Sequence, residues 1–144
     1  MKIRKVHSAS TYILNELNQI EISPVFTQGE RLTLWDAWNE SKPILVKQLT
    51  RGIGIMLPPE SRIGLPTGLF VSGLSKDTVL EVDVSPSASL TKGLMSIGST
   101  IITEDGEITV GCYNASDSLV AIVNGDVIGI GKLTKISSVP IENE

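Results

Sequence analysis

Cysteine and histidine occur once each in the 144 residues, as Cys112 and His7. An intramolecular disulfide framework and a Cys-rich zinc site are thereby excluded. Aromatic residues are scarce, with two Trp, two Tyr and two Phe. The core must therefore rest on Ile, Val and Leu, a composition that suits sheet more than helix. No apolar run approaches the about 18 residues that a membrane-spanning helix needs. The opening Met1-Lys2-Ile3-Arg4-Lys5-Val6-His7-Ser8 does not lead into the apolar stretch of a signal peptide. With 41% hydrophobic and 19% charged residues, the chain is neither a disordered tail nor a strongly charged nucleic-acid binder. The expectation is one soluble domain, large enough to bury its own core.

What charge there is lies unevenly. The net charge is −4, yet Lys2, Arg4 and Lys5 put +3 in the first five residues and leave −7 for the rest. An acidic body is a poor match for a phosphate backbone, so nucleic acid is not expected as a partner. The basic start reads as a solvated end or as a contact for an acidic surface. Glycine divides the chain too, since only Gly29 precedes residue 50 while both tryptophans, Trp35 and Trp38, do.

Residues 10–20 predict a short helix, with Ile13, Leu14, Leu17 and Ile20 on one face and Ser8 or Ser10 as cap. From Lys42 onward the pattern is β-type. Candidate strands are 44–49, 53–56, 61–64, 69–72, 78–84, 99–102, 107–114, 119–123 and 127–133. Turn chemistry separates them at Pro58-Pro59, Pro66-Thr67-Gly68, Glu104-Asp105-Gly106, 114–117 and Asn124-Gly125-Asp126. Many short strands at this spacing give an all-β sandwich or barrel. The pairs Gly52/Gly54 and Gly129/Gly131 open no helix, as a dinucleotide site would require, and mark bulges or close strand approaches. The divisions read from the sequence are an N-terminal arm and helix over 1–41, a β domain over 42–135 and a polar tail over 136–144.

Three stretches of the β region resemble trimeric dUTPases. The run from Leu57-Pro58-Pro59-Glu60 to Ile63-Gly64-Leu65-Pro66-Thr67-Gly68-Leu69 is similar to that family's "LPPGE" followed by "IPTGL". Gly106-Glu107-Ile108-Thr109-Val110 with Asn114 resembles its "RGEI.V…N" strand, and Gly125-Asp126-Val127-Ile128 its "GDRIAQ" turn. The matches keep the family's order and cover about residues 52–133. The resemblance implies an all-β, dUTPase-like β-clip fold, a distorted barrel, in obligate trimers whose ligand sites lie where subunits meet.

The family's chemistry does not carry over residue by residue. Counted back from Gly106, Ile101 stands where the resemblance places the base Asp, Glu104 where it places a Tyr, and Asp105 where it places an Arg. An isoleucine cannot take a proton from water. The "PRSG" turn falls near Val84-Ser85-Pro86-Ser87-Ala88-Ser89, which holds no Arg. Val127 and Ile130 replace the Arg and Gln of "GDRIAQ", the nearest match to "AGYDL" is Leu34-Trp35-Asp36-Ala37, and no Gly-rich C-terminal arm follows.

The remaining reactive residues read as structure. His7 reads as a surface side chain and Cys112 as a small buried hydrophobe. Trp35 and Trp38 form either an anchor on a partner or a plug at the barrel end or trimer axis.

The expectation is therefore that the chain is no enzyme, needs no cofactor or metal and works as a homotrimeric structural protein. A phage capsid decoration or virion-assembly role is the leading form of it. Its contacts would be Lys2, Arg4, Lys5, Ile13, Leu17, Trp35 and Trp38. Its place would be the virion or the host cytoplasm, away from membranes. The alternatives are a degenerate nucleotide-binding trimer using Ser85, Ser87, Ser89 and Thr91, and a divergent enzyme using Asp83, Glu104 or Asp105 with magnesium.

Overall fold

Alternation between buried aliphatic and exposed polar residues sets the architecture. In the stretch Gly106–Asn114, Ile108, Val110, Cys112 and Asn114 point inward while Glu107 and Thr109 face solvent, the period of a half-buried strand. The computed structural model describes residues 1–36, 38, 40–98, 100–136 and 140–142.

The strands follow in chain order. The first are β1 (Lys2–Lys5), β2 (Tyr12–Leu14), β3 (Ile20–Ile22), β4 (Arg31–Trp35) and β5 (Ser41–Leu45). Next come β6 (Lys47–Leu49), β7 (Gly52–Leu57), β8 (Arg62–Ser72) and β9 (Thr78–Val84), and then the helix α1 (Pro86–Lys92). The chain continues through β10 (Leu94–Ser96), β11 (Thr100–Ile102), β12 (Gly106–Asn114), β13 (Val120–Val123) and β14 (Gly129–Lys135).

Three antiparallel sheets result. The first runs β10-β12-β8-β4-β5 with β1 added along β8, the second β11-β9-β14-β3-β2, and the third β13-β7-β6. Their inner faces share one aliphatic core, with Ile55, Leu65, Leu80, Ile108, Ile122 and Ile128 fully buried. No helix among the described residues is long and apolar enough to cross a membrane.

The expected strands are present with moved ends, except that the one expected at 44–49 is broken at Val46, so that β5 belongs to the first sheet and β6 to the third. Val46 is buried there and its backbone bonds Gly29 and Glu30 instead of continuing a single strand. The two segments expected at 61–64 and 69–72 are one strand, β8, that runs through Pro66-Thr67-Gly68. The turn residues there make an irregularity instead of a reversal. Gly68 has φ +62°, a side chain at that position would run into Ser10 and His7, and the register to β12 slips between Glu107 and Thr109. Gly129 and Gly131 mark a close approach, as expected. A Cβ on Gly129 would stand 2.7 Å from Val110 and 3.5 Å from Ile22, so glycine lets β14, paired with β3 and β9, pack closely against Val110 of β12 in the facing sheet.

Residues 10–20 do not form the expected helix. They make a hairpin in which β2 pairs with β3, and β3 pairs in turn with β14. Asn15 Oδ1 accepts hydrogen bonds from the N–H groups of Leu17 and Gln19, both at 3.0 Å, and Asn18 takes φ +57°. An apolar spacing of three and four also fits this hairpin, and an isolated helix of that length is marginal in water. A strand partner supplied by β14 decides the matter. The one helix among the described residues is α1, capped by Ser85 Oγ accepting from the Ala88 N–H at 3.1 Å and closed by Gly93 at φ +69°.

Two amides tie the loops down, Asn114 buried and Asn124 half-buried. Asn114 Nδ2 donates to the carbonyls of Leu57 and Ser118, both at 2.9 Å, and its Oδ1 accepts from the Ser116 N–H and Oγ. Asn124 exchanges two hydrogen bonds with the backbone of Phe26, at 2.6 and 3.0 Å, which holds the N-terminal segment against the turn before β14.

Candidate functional site

The outer faces of the two larger sheets differ in kind. On the first sheet the register aligns four side chains in one row across four strands. Trp35 lies opposite Arg62, Arg62 opposite Tyr113, and Tyr113 opposite Met95. Residues directly opposite in an antiparallel ladder point to the same side, so Trp, Arg, Tyr and Met stand side by side facing out. Along the strands from this row, Gly64 faces Gly111. With no side chain on either, the face sinks into a trough of about 400 Å³ walled by Trp35 and Ile97. A second concavity of about 550 Å³ adjoins it, sharing Arg62 and Ile97 and reaching Asp36, Glu60 and Tyr113. Glu60 holds φ +60°, an uncommon conformation for a residue with a side chain.

On the second sheet the outer face is ionic. Ile101 of β11 lies opposite Glu81 of β9, and Glu81 opposite Lys132 of β14. Lys132 Nζ is 3.6 Å from Glu81 Oε2. Asp83, two residues beyond Glu81, points to the same side. Ile101 is 55% exposed, and a cross-strand neighbour places its Cβ about 5 Å from that of Glu81. Glu104 and Asp105 sit in the exposed turn between β11 and β12, where Asp105 Oδ1 accepts the Gly73 N–H at 3.1 Å. Ser85 caps α1, whereas Ser87, Ser89 and Thr91 ride on the helix, with Ser89 Oγ turned to the Leu94 carbonyl and Thr91 Oγ1 to the Ser87 carbonyl.

A third charged group closes the turn before β14. Arg51 grips Asp126 with two nitrogens, at 3.0 and 3.1 Å, and Lys92 stands 3.6 Å away. Burial alone would raise the Asp126 carboxyl. The Arg51 hydrogen bonds, the Val123 N–H and the nearby Lys92 overcome this and hold it below the usual carboxylate range. Burial pushes the Cys112 thiol up to about 12, consistent with a small core hydrophobe.

The contact residues expected from the sequence lie in separate places. Lys2, Arg4 and Lys5 are on β1 along the Leu69–Ser72 end of β8, with the Arg4 guanidinium 5.0 Å above the Phe70 ring. Trp35 meets the opposite end of β8, roughly 25 Å away at the rise of a strand. Ile13 and Leu17 are exposed on the β2–β3 hairpin of the other sheet, Leu17 at 76%. Trp38 is 83% exposed and lies beyond β4. Ala37 and Ser99, which belong to the expected Leu34–Ala37 motif and the 99–102 strand, fall outside the described residues, as do parts of the polar tail. Sequence reasoning missed Glu81, Lys132 and the Arg62–Tyr113–Met95 row, because only strand register brings them together.

No family model matches the chain, and no curated protein matches it. Solved structures do match. A dUTPase from Streptococcus mutans is 20% identical over 67% of this chain and 89% of its own, with a TM-score of 0.52. A mutant dUTPase from phage phi11 of S. aureus, described for the coordination of a structural Mg(II) ion, is 11% identical over 99% of this chain and 95% of its own, with a TM-score of 0.60. A mutant dUTPase of Staphylococcus bacteriophage 80alpha with dUpNHpp is 10% identical over 99% of this chain and 86% of its own, also at 0.60. The chain has the dUTPase-like fold. The expectation that it is no enzyme is corrected by the same finding. These neighbours are all dUTPases, which are enzymes, and replaced residues at 101, 104 and 105 do not demonstrate lost activity.

Proposed function

We propose that the protein works as a homotrimer that binds and acts on a deoxyuridine nucleotide, with the outer face of the β9 sheet as the reacting side. Structures alike over nearly the whole chain support this, one of them with dUpNHpp. The observation that carries it is the carboxylate of Glu81 directly across the ladder from Ile101. Hydrolysis needs a base for water and positive charge for the phosphates. Glu81 is the base in this reading, Asp83 a second carboxylate on the same side and Lys132 the cation beside it. Among the described residues no three acidic, His or Cys side chains converge on a point. A magnesium cage made of protein does not fit here, and a divalent cation belongs with the nucleotide's own phosphates.

Incubating the protein with dUTP and magnesium, and separating the nucleotide products, tests the reading. Conversion of dUTP is expected, and Glu81→Gln lowers its rate on the order of 100-fold. Neither conversion nor binding of dUTP overturns it.

A second reading is favoured by Trp38, a large apolar side chain 83% exposed, three residues after the half-exposed Trp35. In it the trimer attaches to a larger assembly as a capsid decoration or virion-assembly protein. Lys2, Arg4, Lys5, Ile13, Leu17, Trp35 and Trp38 are its contacts. Finding the protein in purified virions supports it, and its absence from them removes it.

A further inference from the structure

Asparagine is followed directly by glycine at one place in the chain, Asn124-Gly125. Asparagine is a chemically labile residue, and a following glycine has no side chain to shield its own nitrogen from the carboxamide. The pair forms the turn between β13 and β14, closed by the Asp126 N–H donating to the Val123 carbonyl at 3.1 Å. Gly125 is exposed at φ +91°, and a Cβ there would meet nothing within 4 Å. No hydrogen bond among the described residues occupies its N–H.

The carboxamide is the guarded half of the pair. Asn124 Oδ1 accepts the Phe26 N–H at 2.6 Å, and Nδ2 donates to the Phe26 carbonyl at 3.0 Å. The Phe26 side chain is in the core, so this tether fastens the N-terminal segment to a turn that is distant in sequence. The Asn124 backbone is pinned as well, its N–H donating to the Ile53 carbonyl at 2.9 Å.

We infer that Asn124 is a modification site, a spontaneous deamidation that the tether to Phe26 delays and that, once made, undoes the tether. The inference is independent of the nucleotide reaction proposed above. The only co-reactant is water. The Gly125 nitrogen gives up its proton and bonds to Asn124 Cγ, while the bond from Cγ to Nδ2 breaks and ammonia leaves. Water then opens the cyclic imide at either carbonyl, which leaves an aspartate or an isoaspartate at position 124. Attack needs Cγ to turn from Phe26 to the Gly125 nitrogen, so it waits for local opening of the tether. Both products lack Nδ2 and set a carboxylate oxygen against the Phe26 carbonyl, and two facing acceptors destabilise the contact. Isoaspartate also lengthens the backbone of a turn held at Ile53 and Val123. The segment around Phe26 is released from the β13–β14 turn, and the release runs one way.

The full-length protein is kept in mildly alkaline buffer, one sample folded and one unfolded in urea, and mapped by peptide mass spectrometry. Conversion at Asn124 is expected in both, on the order of tenfold or more slower in the folded sample. Converted protein carries an added negative charge and is separated by anion exchange. In it, and in Asn124→Asp, hydrogen exchange at the Phe26 amide is expected to speed up while that of β12 stays as in the wild type. An Asn124 that stays intact in the folded sample overturns the site. Equal rates in the two samples overturn the delay, and a Phe26 amide as protected after conversion as before overturns the release.

Discussion

The two larger sheets bury the same kind of surface and show solvent different ones. Inside, both present Ile, Leu and Val to one core. Outside, the β8–β12 sheet carries a row of Trp35, Arg62, Tyr113 and Met95 beside a glycine-floored trough, while the β9–β14 sheet carries Ile101, Glu81, Lys132 and Asp83. The inner faces are interchangeable because the hydrophobic effect is non-directional and asks only for apolar area and fit. The outer faces are free of that demand, so their composition reports what each side meets. In the proposed function the first is the contact surface and the second the reacting side.

The largest expected effect concerns what the sheets share. Leu80→Ala on β9 leaves a cavity in the common core and costs about 2–5 kcal/mol. Urea unfolding followed by far-UV circular dichroism and by tryptophan fluorescence is expected to show one coincident transition at a lower midpoint. Two separated transitions would mean that the sheets do not share a core.

The second effect separates the outer faces. Glu81→Gln removes the charge on the ionic side and is expected to suppress dUTP conversion while changing stability by about 1 kcal/mol or less, since its partner Lys132 is largely exposed. Trp35→Ala removes the wall of the trough. It is expected to weaken assembly in sedimentation at micromolar concentration and to leave the urea midpoint of the dissociated chain nearly unchanged. An assembly defect in Glu81→Gln with none in Trp35→Ala would reverse the division of labour.

The smallest effect is a pH dependence outside both faces. The folded carboxyl of Asp126 lies below its ordinary value. Its contribution to stability is therefore present above the unfolded carboxylate range, near pH 4, and is lost as pH falls through the lower folded value. The difference in urea midpoint between wild type and Asp126→Asn is expected at pH 6 and to shrink by pH 3. A difference that grows on acidification would give the ion pair with Arg51 the wrong sign.

How much of this the sequence disclosed depends on the range of the interaction. From residue 42 onward strands such as β9 and β12 were legible because their alternation and their flanking turns are local. The hairpin at 12–22 was not. Its strands are three residues long, and β3 exists because β14, more than 100 residues away, offers Gly129 and Gly131 as partners. The helix α1 had a readable signal that a turn assignment passed over: Ser85 as cap, Pro86 in the first turn and Gly93 at the end. The candidate sites were the least legible part. Trp35, Arg62, Tyr113 and Met95 come from four strands, and Glu81 stands 20 residues before Ile101. Only register converts such separations into neighbours.

The central claim is that this fold still serves a deoxyuridine nucleotide. Calorimetric titration of the wild-type protein with dUTP in the presence of magnesium tests it most directly. The account expects saturable binding that approaches one nucleotide per chain and weakens in Asp83→Asn. Heats of dilution alone, from a protein shown to be folded, would contradict it.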